Sequence, residues 1–148
     1  MDFNDFKFDE NGFRQQLGVR RFDVKAAVTK LLEIAEHWKY IGQQHLGNIV
    51  SVSAVPEEGR IDGEVLGKQF SIRYVAFGLE GNGELEASLS IQDLATDKNI
   101  EIKRFLISKN GTFLSLDGQE LISPEVPDSG YKMLIAVVRS VMTASSKS

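Results

Sequence analysis

The sequence predicts an α+β fold in which an N-terminal amphipathic helix is followed by an antiparallel meander of about six or seven strands and a C-terminal helix packed on one sheet face. Apolar residues recur at helical spacing before residue 47 and again after residue 128. Between them, residues 49–122 alternate between apolar and polar side chains, and turn dipeptides interrupt the alternation at short intervals. Connections this short leave no room for the crossover helices of a parallel sheet.

The first 22 residues are interpreted as an aromatic-rich arm, because they hold five of the nine phenylalanines in the chain. Those five are Phe3, Phe6, Phe8, Phe13 and Phe22. Full burial of one such ring is worth roughly 1.5 to 3 kcal/mol, so the arm is expected to lie against something. The favoured interpretation is that it covers the chain's own core or supplies an edge strand. The alternative is that it docks on a partner or on a second copy.

The first helix is predicted from about Val24 to Leu46, with Asp23 as its N-cap and Gly47 at its end. At about 100° per residue its apolar side chains form one core-facing stripe. The stripe comprises Val24, Ala27, Val28, Leu31, Ile34, Ala35, Trp38 and Ile41. Gly42 lies in the same stripe, and its missing side chain predicts close approach of a strand or a second helix. Upstream, residues 9–12 are interpreted as a β-turn.

Each strand of the meander is predicted to have one buried face and one solvated face. In the clearest strand the inward positions are Leu85, Ala87, Leu89 and Ile91. In residues 68–79 the apolar positions change phase after Tyr74, which predicts a β-bulge or a strand buried on both sides. A second bulge is predicted near Lys103 and Arg104. Two-residue hairpin turns are predicted at Asn82-Gly83, Asn110-Gly111 and Asp117-Gly118.

The final helix is predicted to begin with Asp128 or Ser129 as its cap and to run to about Ala144. Its apolar stripe comprises Tyr131, Leu134, Ile135, Val138, Val141 and Met142. So broad a stripe predicts substantial burial of this helix. Residues 145–148 are expected to form a frayed tail, and the whole of residues 1–148 is expected to form a single domain.

The composition excludes several classes of function. The chain has 148 residues, a formal net charge of −4 and no cysteine. Without cysteine there is no disulfide framework, no thiolate nucleophile and no Cys-ligated metal site. The acidic charge argues against nucleic acid as a partner, because that binding needs a concentrated basic surface. No segment approaches the roughly 20 apolar residues of a membrane span, and the acidic N-terminus lacks the pattern of a secretory signal, so a cytoplasmic location is expected.

Neither histidine belongs to a recognisable catalytic or metal site. His37 follows Glu33 by one helical turn, but two such residues are too few for a metal site, and a structural role is favoured. His45 lies at the helix end, where a histidine usually packs or contacts terminal carbonyl groups. The basic residues near the first helix are Arg14, Arg20, Arg21 and Lys25. Local pairing with acidic neighbours is favoured for them over contact with an acidic partner, and no metal or cofactor is predicted.

Three functional hypotheses follow, and the leading one is a non-enzymatic protein-binding module such as an inhibitor, an immunity protein or a chaperone-like protein. A small acidic domain with an aromatic terminus and no catalytic motif motivates it. The partner-contact candidates are Phe3, Phe6, Phe8, Phe13 and Tyr40. Tyr40 is included as the conspicuous aromatic residue on the solvated face of the first helix. The contact is expected with a protein partner or through self-association, and a homodimer is the expected oligomer.

The second hypothesis is a carrier of a small apolar ligand held between a curved sheet and the helices. Its cavity candidates are Trp38, Phe70, Ile72, Tyr74, Leu134 and Val138. A filled core is the favoured role for these residues, because protein interiors usually pack without large voids. The third hypothesis is an enzyme that uses carboxylates with His37. Its candidates are Glu64, Glu84 and Glu86, and it ranks last because alternating acidic residues usually form the solvated face of a sheet.

Overall fold

The computed structural model describes residues 1–79 and 81–146, and it confirms the predicted α+β architecture. A long helix, α1, spans Glu10–Gln44, and a second helix, α2, spans Ser129–Thr143. The strands between them are β1 (Val50–Val55), β2 (Arg60–Val65), β3 (Lys68–Phe77), β4 (Glu84–Gln92), β5 (Asn99–Ile107), β6 (Phe113–Leu114) and β7 (Glu120–Ile122). Short 3₁₀ turns lie at Phe3–Phe6 and Pro56–Glu58.

The sheet is an antiparallel meander in which each strand pairs with the next along the chain, so β1 and β7 lie at its two edges. Both helices pack against the same face. Helix α1 contacts β1, β4 and α2, whereas α2 contacts β2 to β5. The buried side chains of both helices and of the inward strand positions form one apolar cluster. Burial of this cluster supplies the main stabilisation, since no cysteine is present to cross-link the chain.

Helix α1 begins at Glu10 and not near Val24. Asp9 is its N-cap, and Oδ2 of Asp9 accepts a hydrogen bond from the N–H of Gly12 at 3.3 Å. The predictions of Asp23 as the N-cap and of a β-turn at residues 9–12 are therefore both wrong. The two aspartates carry the same local capping signal, so the sequence pattern does not choose between them. Contacts of Asp23 with distant loops favour the longer helix.

The predicted core stripe of α1 is confirmed. Its buried members are Ala27, Leu31, Ala35, Trp38 and Ile41, and Val24, Val28 and Ile34 are partly buried against the core. Gly42 is also buried, and a Cβ atom at this position would lie 2.3 Å from the carbonyl oxygen of Val50. The N–H of Asn48 donates to the Gly42 carbonyl at 2.9 Å and closes the connection to β1. As predicted, the missing side chain lets a strand lie directly against the helix.

The predicted irregularity of β3 is wrong. This strand pairs with β4 without a register shift, from Phe70 opposite Ile91 to Phe77 opposite Glu84. Its second set of apolar residues includes Val75 and Phe77, which lie on the outer face of the sheet and are exposed. The change of phase therefore marks apolar residues that face outward at one end of a regular strand.

The second predicted bulge is confirmed in β5. Leu89 of β4 lies opposite Lys103, whereas the next residue, Ser90, lies opposite Glu101. Ile102 is thus the extra residue that a β-bulge inserts on one strand. The bulge explains why the inward positions of β5 change phase, while those of β4 alternate regularly as predicted.

Two of the three predicted hairpin turns occur at the predicted dipeptides, but as three-residue loops. Gly111 and Gly118 are the last residues of these loops, with φ angles of 85° and 88°. Across the first loop the N–H of Ser108 donates to the carbonyl of Thr112, and across the second the N–H of Ser115 donates to the carbonyl of Gln119. The two-residue turn lies instead at Leu66-Gly67, between β2 and β3, where both φ angles are positive. The third predicted turn, at residues 82–83, is wrong, because the β3–β4 connection spans residues 78–83 and Gly83 is buried.

Helix α2 begins after Asp128 as predicted, although the side chain of Asp128 makes no capping hydrogen bond. Its buried face is rotated from the predicted one. The buried residues are Met133, Leu134, Val137 and Val141. Tyr131 and Met142, which were expected inside, are exposed. Apolar residues surround much of this helix, so periodicity alone does not decide which side faces the sheet.

Hydrogen bonds join the C-terminal segment to β3 and to the loop after β4. The side chain of Lys68 donates from Nζ to the carbonyl of Ala144 at 2.7 Å. The N–H of Leu94 donates to the carbonyl of Ser146 at 3.2 Å. Residues 147 and 148 lie outside the described residues, and the frayed tail stays a prediction.

Candidate functional site

The N-terminal arm (residues 1–22) neither covers the core of its own chain nor supplies an edge strand. Phe3 and Phe6 lie in the first 3₁₀ turn and Phe8 in the segment after it, and all three are at least 65% exposed. Residues 10–22 form the first turns of α1, where Phe13 and Phe22 are also exposed. The favoured interpretation of the arm from the sequence is therefore wrong. Its five phenylalanines are left exposed to solvent.

The core stripe of α1 continues into the arm. With 3.6 residues per turn, Phe13 and Leu17 lie on the same side of α1 as Leu31 and Ala35, which are 0% and 2% exposed. Phe13 and Leu17 are nevertheless 41% and 48% exposed, so the chain leaves this end of its stripe incompletely covered. We call these two residues the arm stripe. Sequence reasoning missed Leu17 because it began the helix at Val24, although the spacings of four and seven residues along the stripe are helical.

Asp23 holds α1 to two loops at the point where the arm leaves the body of the protein. Its Oδ2 accepts hydrogen bonds from the N–H of Gly83 and from Nη1 of Arg20, both at 3.0 Å. Nζ of Lys109 lies 3.7 Å from Oδ1 of Asp23. Nε of Arg20 donates to the carbonyl of Leu79 at 2.8 Å. We call this group the Asp23 anchor, and it keeps the arm in line with the rest of α1.

The Asp23 anchor is expected to make stability depend on acid pH. The N–H of Gly83, together with Arg20 and Lys109, holds the pKa of Asp23 below its ordinary value of 3.8. A carboxyl group with a lowered folded-state pKa contributes stability above its unfolded pKa, and that contribution is lost as the pH falls through the folded-state value. Asp23→Asn is therefore expected to lower the free energy of unfolding at neutral pH and to reduce its loss in acid. Urea unfolding between about pH 7 and pH 2 measures both.

The control for this experiment is Asp97→Asn. Asp97 is exposed in a loop and has a φ of 60°, a conformation that asparagine adopts readily. This variant removes a carboxyl group that takes no part in the anchor, and it is expected to keep the hydrogen bonds of Asp23. If the free energy of unfolding of the Asp23→Asn protein fell in acid as much as that of the wild type, the anchor would not contribute to the dependence of stability on pH.

Charged residues divide the arm region into an acidic half and a basic half. The acidic half holds Asp2, Asp5, Asp9 and Glu10 around a single lysine, Lys7, and the basic half holds Arg14, Arg20, Arg21 and Lys25 around Asp23. Local pairing is confirmed for Arg14, 2.9 Å from Glu10, and for Arg20 in the Asp23 anchor. Arg21 and Lys25 have no ion pair among the residues that the structure describes. Two cations thus remain available beside the arm stripe.

Tyr40 stands apart from the other partner-contact candidates. It is 54% exposed on the solvated face of α1, and its ring meets the ring of His45 edge-on at a centroid distance of 5.8 Å. Five helical turns, or roughly 27 Å, separate Tyr40 from Phe22 on the same side of the helix. The structure therefore does not join Tyr40 to the arm surface.

The six cavity candidates lie in the packed core. Trp38, Phe70, Ile72, Tyr74 and Leu134 are buried, and Val138 is partly buried against them. Nε1 of Trp38 donates to the carbonyl of Gly130 at 2.8 Å and so joins the two helices. The ring of Phe70 fills the space beside Gly63, where a Cβ atom would lie 2.2 Å from it. These contacts favour the filled-core role for both aromatic residues, and the carrier remains a hypothesis.

The structure does not bring the candidate catalytic residues together. Glu64, Glu84 and Glu86 occupy outward positions of β2 and β4, whereas His37 lies on α1, which packs on the opposite face of the sheet. His37 packs against Gly130, where a Cβ atom would lie 2.5 Å from Cδ2 of the imidazole. Within the described residues, no group of three or more His, Asp or Glu side chains could hold a metal ion.

A second candidate surface is an open groove of about 460 Å³ on the outer face of β1 to β4. Sequence reasoning predicts only a solvated face here. The small side chains that line the groove include Ser51, Ser53, Ser71 and Ser90. Nε of Arg60 donates to both carboxylate oxygens of Asp62, at 3.1 and 3.0 Å, and Ser71 donates to Asp62 at 3.0 Å. Because these polar groups bond to one another, the groove presents a weaker binding surface than the arm.

Comparison with known proteins adds no functional information. No family model, curated protein or solved structure matches the chain. None of the helices in the described residues combines the length and the apolar character needed to cross a membrane.

Proposed function

We propose that this protein is a non-enzymatic protein-binding module that docks through its N-terminal arm. The arm stripe carries the proposal, because Phe13 and Leu17 continue the core stripe of α1 but remain about half exposed. A side chain in a core-facing position is stabilised by an apolar neighbour, which a partner would supply. The rings of Phe3, Phe6 and Phe8, earlier in the arm, are exposed as well.

The composition of the arm is typical of a protein interface. Aromatic side chains are enriched at the centres of interfaces, and charged residues are confined mostly to their rims. Here the arm stripe is flanked by Glu10, Arg14 and Arg21, which lie around the same turns of the helix. A partner with an apolar centre and a mixed-charge rim therefore fits this surface best.

The arm is also ordered before it binds. Asp9 caps the helix, and the Glu10 to Arg14 ion pair links consecutive turns at 2.9 Å. The Asp23 anchor holds the other end of the arm. A preformed binding segment loses little conformational freedom on association, so more of the burial energy becomes affinity.

Site-specific crosslinking tests the proposal. A photoreactive benzophenone amino acid replaces Phe13 in one variant and Tyr40 in a matched variant, both in α1 and both exposed. Irradiation of cells that produce each variant is expected to yield a protein adduct from residue 13 and none from residue 40. Denaturing electrophoresis resolves the adducts, and mass spectrometry identifies the crosslinked chain.

Two outcomes of the crosslinking would count against the proposal. One is the absence of any adduct from residue 13, and the other is equal crosslinking from both residues. Matching thermal melting curves for both variants establish that the fold is intact in each. An adduct with a second copy of the chain and an adduct with a different protein both support docking through the arm.

A further inference from the structure

We infer that the arm stripe docks on the arm of a second copy of this chain, with the two arms antiparallel about a two-fold axis near Gln15. The inference rests on the proposed function, because it names the partner of that same surface. In a two-fold interface, every contact between two residues is matched by its reverse. Such an interface requires a segment that is complementary to itself in the reverse direction.

The arm has this self-complementarity. Most residues at equal distances before and after Gln15 are opposite in charge or alike in being apolar or small, the exceptions being Asn11 with Val19 and Arg14 with Gln16. The pairs are Asp5 with Lys25, Lys7 with Asp23, Asp9 with Arg21, Glu10 with Arg20, Gly12 with Gly18 and Phe13 with Leu17. Phe6 and Phe8 mirror Val24 and Phe22, but Val24 packs on the core of its own chain and Phe22 lies about half a turn around α1 from Phe13, so these two pairs make no contact between copies. Arg14 is the only charged residue of this span whose counterpart, Gln16, is neutral. An antiparallel pair lays the acidic half of one arm along the basic half of the other, whereas a parallel pair would set like charges together.

Helical geometry indicates which contacts form. Phe13 and Leu17 lie at equal distances from Gln15. Both are on the core-facing side of α1, which is left uncovered in the arm, so Phe13 of each copy packs on Leu17 of the other. At about 100° per residue, Glu10, Leu17 and Arg21 lie within about 40° of one another around the helix. A two-fold axis brings the same side of both helices together, so Glu10 of one copy faces Arg21 of the other.

The mirrored pairs that involve the Asp23 anchor stay within each chain. The side chains of Arg20 and Asp23 are only 19% and 10% exposed, and they bond to each other and to the β3–β4 loop. The anchor instead presents the arm stripe in the same direction in both copies. The charges that act between copies are therefore those of four exposed residues, Asp5, Glu10, Arg21 and Lys25.

The exposed rings of the arm amount to more than half of the area that a stable pair buries. Phe3, Phe6, Phe8 and Phe13 are 78%, 65%, 74% and 41% exposed, which amounts to roughly 500 Å² per copy at about 200 Å² per ring. A specific interface buries about 800 Å² on each partner. The four rings would supply most of that area, and Leu17 with the charged rim would supply the rest.

Charge reversal at Glu10 and Arg21 tests the inference. The proposed dimer has two intermolecular Glu10–Arg21 pairs. In a Glu10→Lys homodimer each of them becomes a pair of cations, and in an Arg21→Glu homodimer each becomes a pair of anions. Each variant alone is expected to raise the dissociation constant by roughly tenfold or more. An equal mixture of the two variants restores both opposite-charge pairs, so a heterodimer of near wild-type affinity is expected. Sedimentation velocity from about 1 to 100 µM measures the affinities, and native mass spectrometry of mass-labelled copies identifies the heterodimer.

Glu36→Lys is the matched control, because it makes the same charge change on the solvated face of α1 far from the arm. It is expected to leave the dissociation constant unchanged. A wild-type protein that is monomeric over the whole concentration range overturns the inference, while an adduct from residue 13 to a different protein would still uphold the proposed function. A dimer that neither reversal weakens, or that mixing does not restore, overturns the antiparallel arrangement.

Discussion

Replacing Phe13 and Leu17 together with serine is expected to convert the proposed dimer into a monomer, with a rise in the dissociation constant of about a thousandfold. The two-fold axis repeats each substitution, so four apolar contacts are lost. At about 1 kcal/mol for each half-exposed side chain, the loss is about 4 kcal/mol, or nearly three powers of ten in affinity. Sedimentation velocity measures the change. The fold of the monomer is expected to remain, since both residues lie at its surface.

Phe22→Ser is the matched control for this pair of substitutions. Phe22 is 80% exposed in the same helix, but it lies about half a turn around α1 from Phe13. It is therefore expected to leave the affinity unchanged. Equal weakening by Phe22→Ser would mean that general stickiness of the arm drives association, and it would contradict a defined contact through the arm stripe.

Gly42→Ala is expected to destabilise the fold by about 3 kcal/mol or more. The added Cβ atom would lie 2.3 Å from the carbonyl oxygen of Val50, and neither this backbone oxygen nor a Cβ atom fixed to the helix backbone can turn aside. Helix α1 and strand β1 would have to move apart, which opens the core between them. Urea unfolding followed by circular dichroism measures the loss, and a partly unfolded protein at zero urea is the extreme form of the same result.

Gly18→Ala makes the identical chemical change in the same helix, with the opposite expected sign. No atom lies within 4 Å of a Cβ atom built at Gly18, and alanine is favoured over glycine inside a helix. An increase in stability of about 0.5 to 1 kcal/mol is expected. If Gly42→Ala were as harmless as Gly18→Ala, the close contact between α1 and β1 would not exist in solution.

The meander could be predicted from the sequence because its signals are local. Alternation along β4, with Leu85, Ala87 and Leu89 inward, follows from a sheet that is wet on one side and buried on the other. The same local signal fails where an outward position is apolar. Val75 and Phe77 are apolar, as residues of a buried strand usually are, but they lie on the outer face of the sheet. The pattern of β3 was therefore ambiguous between a bulge and a regular strand.

The start of α1 could not be chosen from its capping signals, and the candidate site depends on it. Asp9 and Asp23 are equally good caps by residue type. In the fold Asp9 is the cap, and Asp23 instead accepts a hydrogen bond from Gly83 and pairs with Lys109, which come from far along the chain. Only with the helix begun at Asp9 do Phe13 and Leu17 join the core stripe as its uncovered end.

By itself, the sequence determined the fold class, the order of helices and strands, and the main faces of α1 and β4, because hydrophobic periodicity acts over a few residues. It also contained the reversed charge pattern around Gln15, which is readable without coordinates. Tertiary structure decided whether the phenylalanines of the arm are covered, which side of α2 faces the sheet and where Asp23 bonds. Each of those outcomes depends on contacts between residues distant in the chain, and the free energy of such contacts is set by packing that no local pattern encodes.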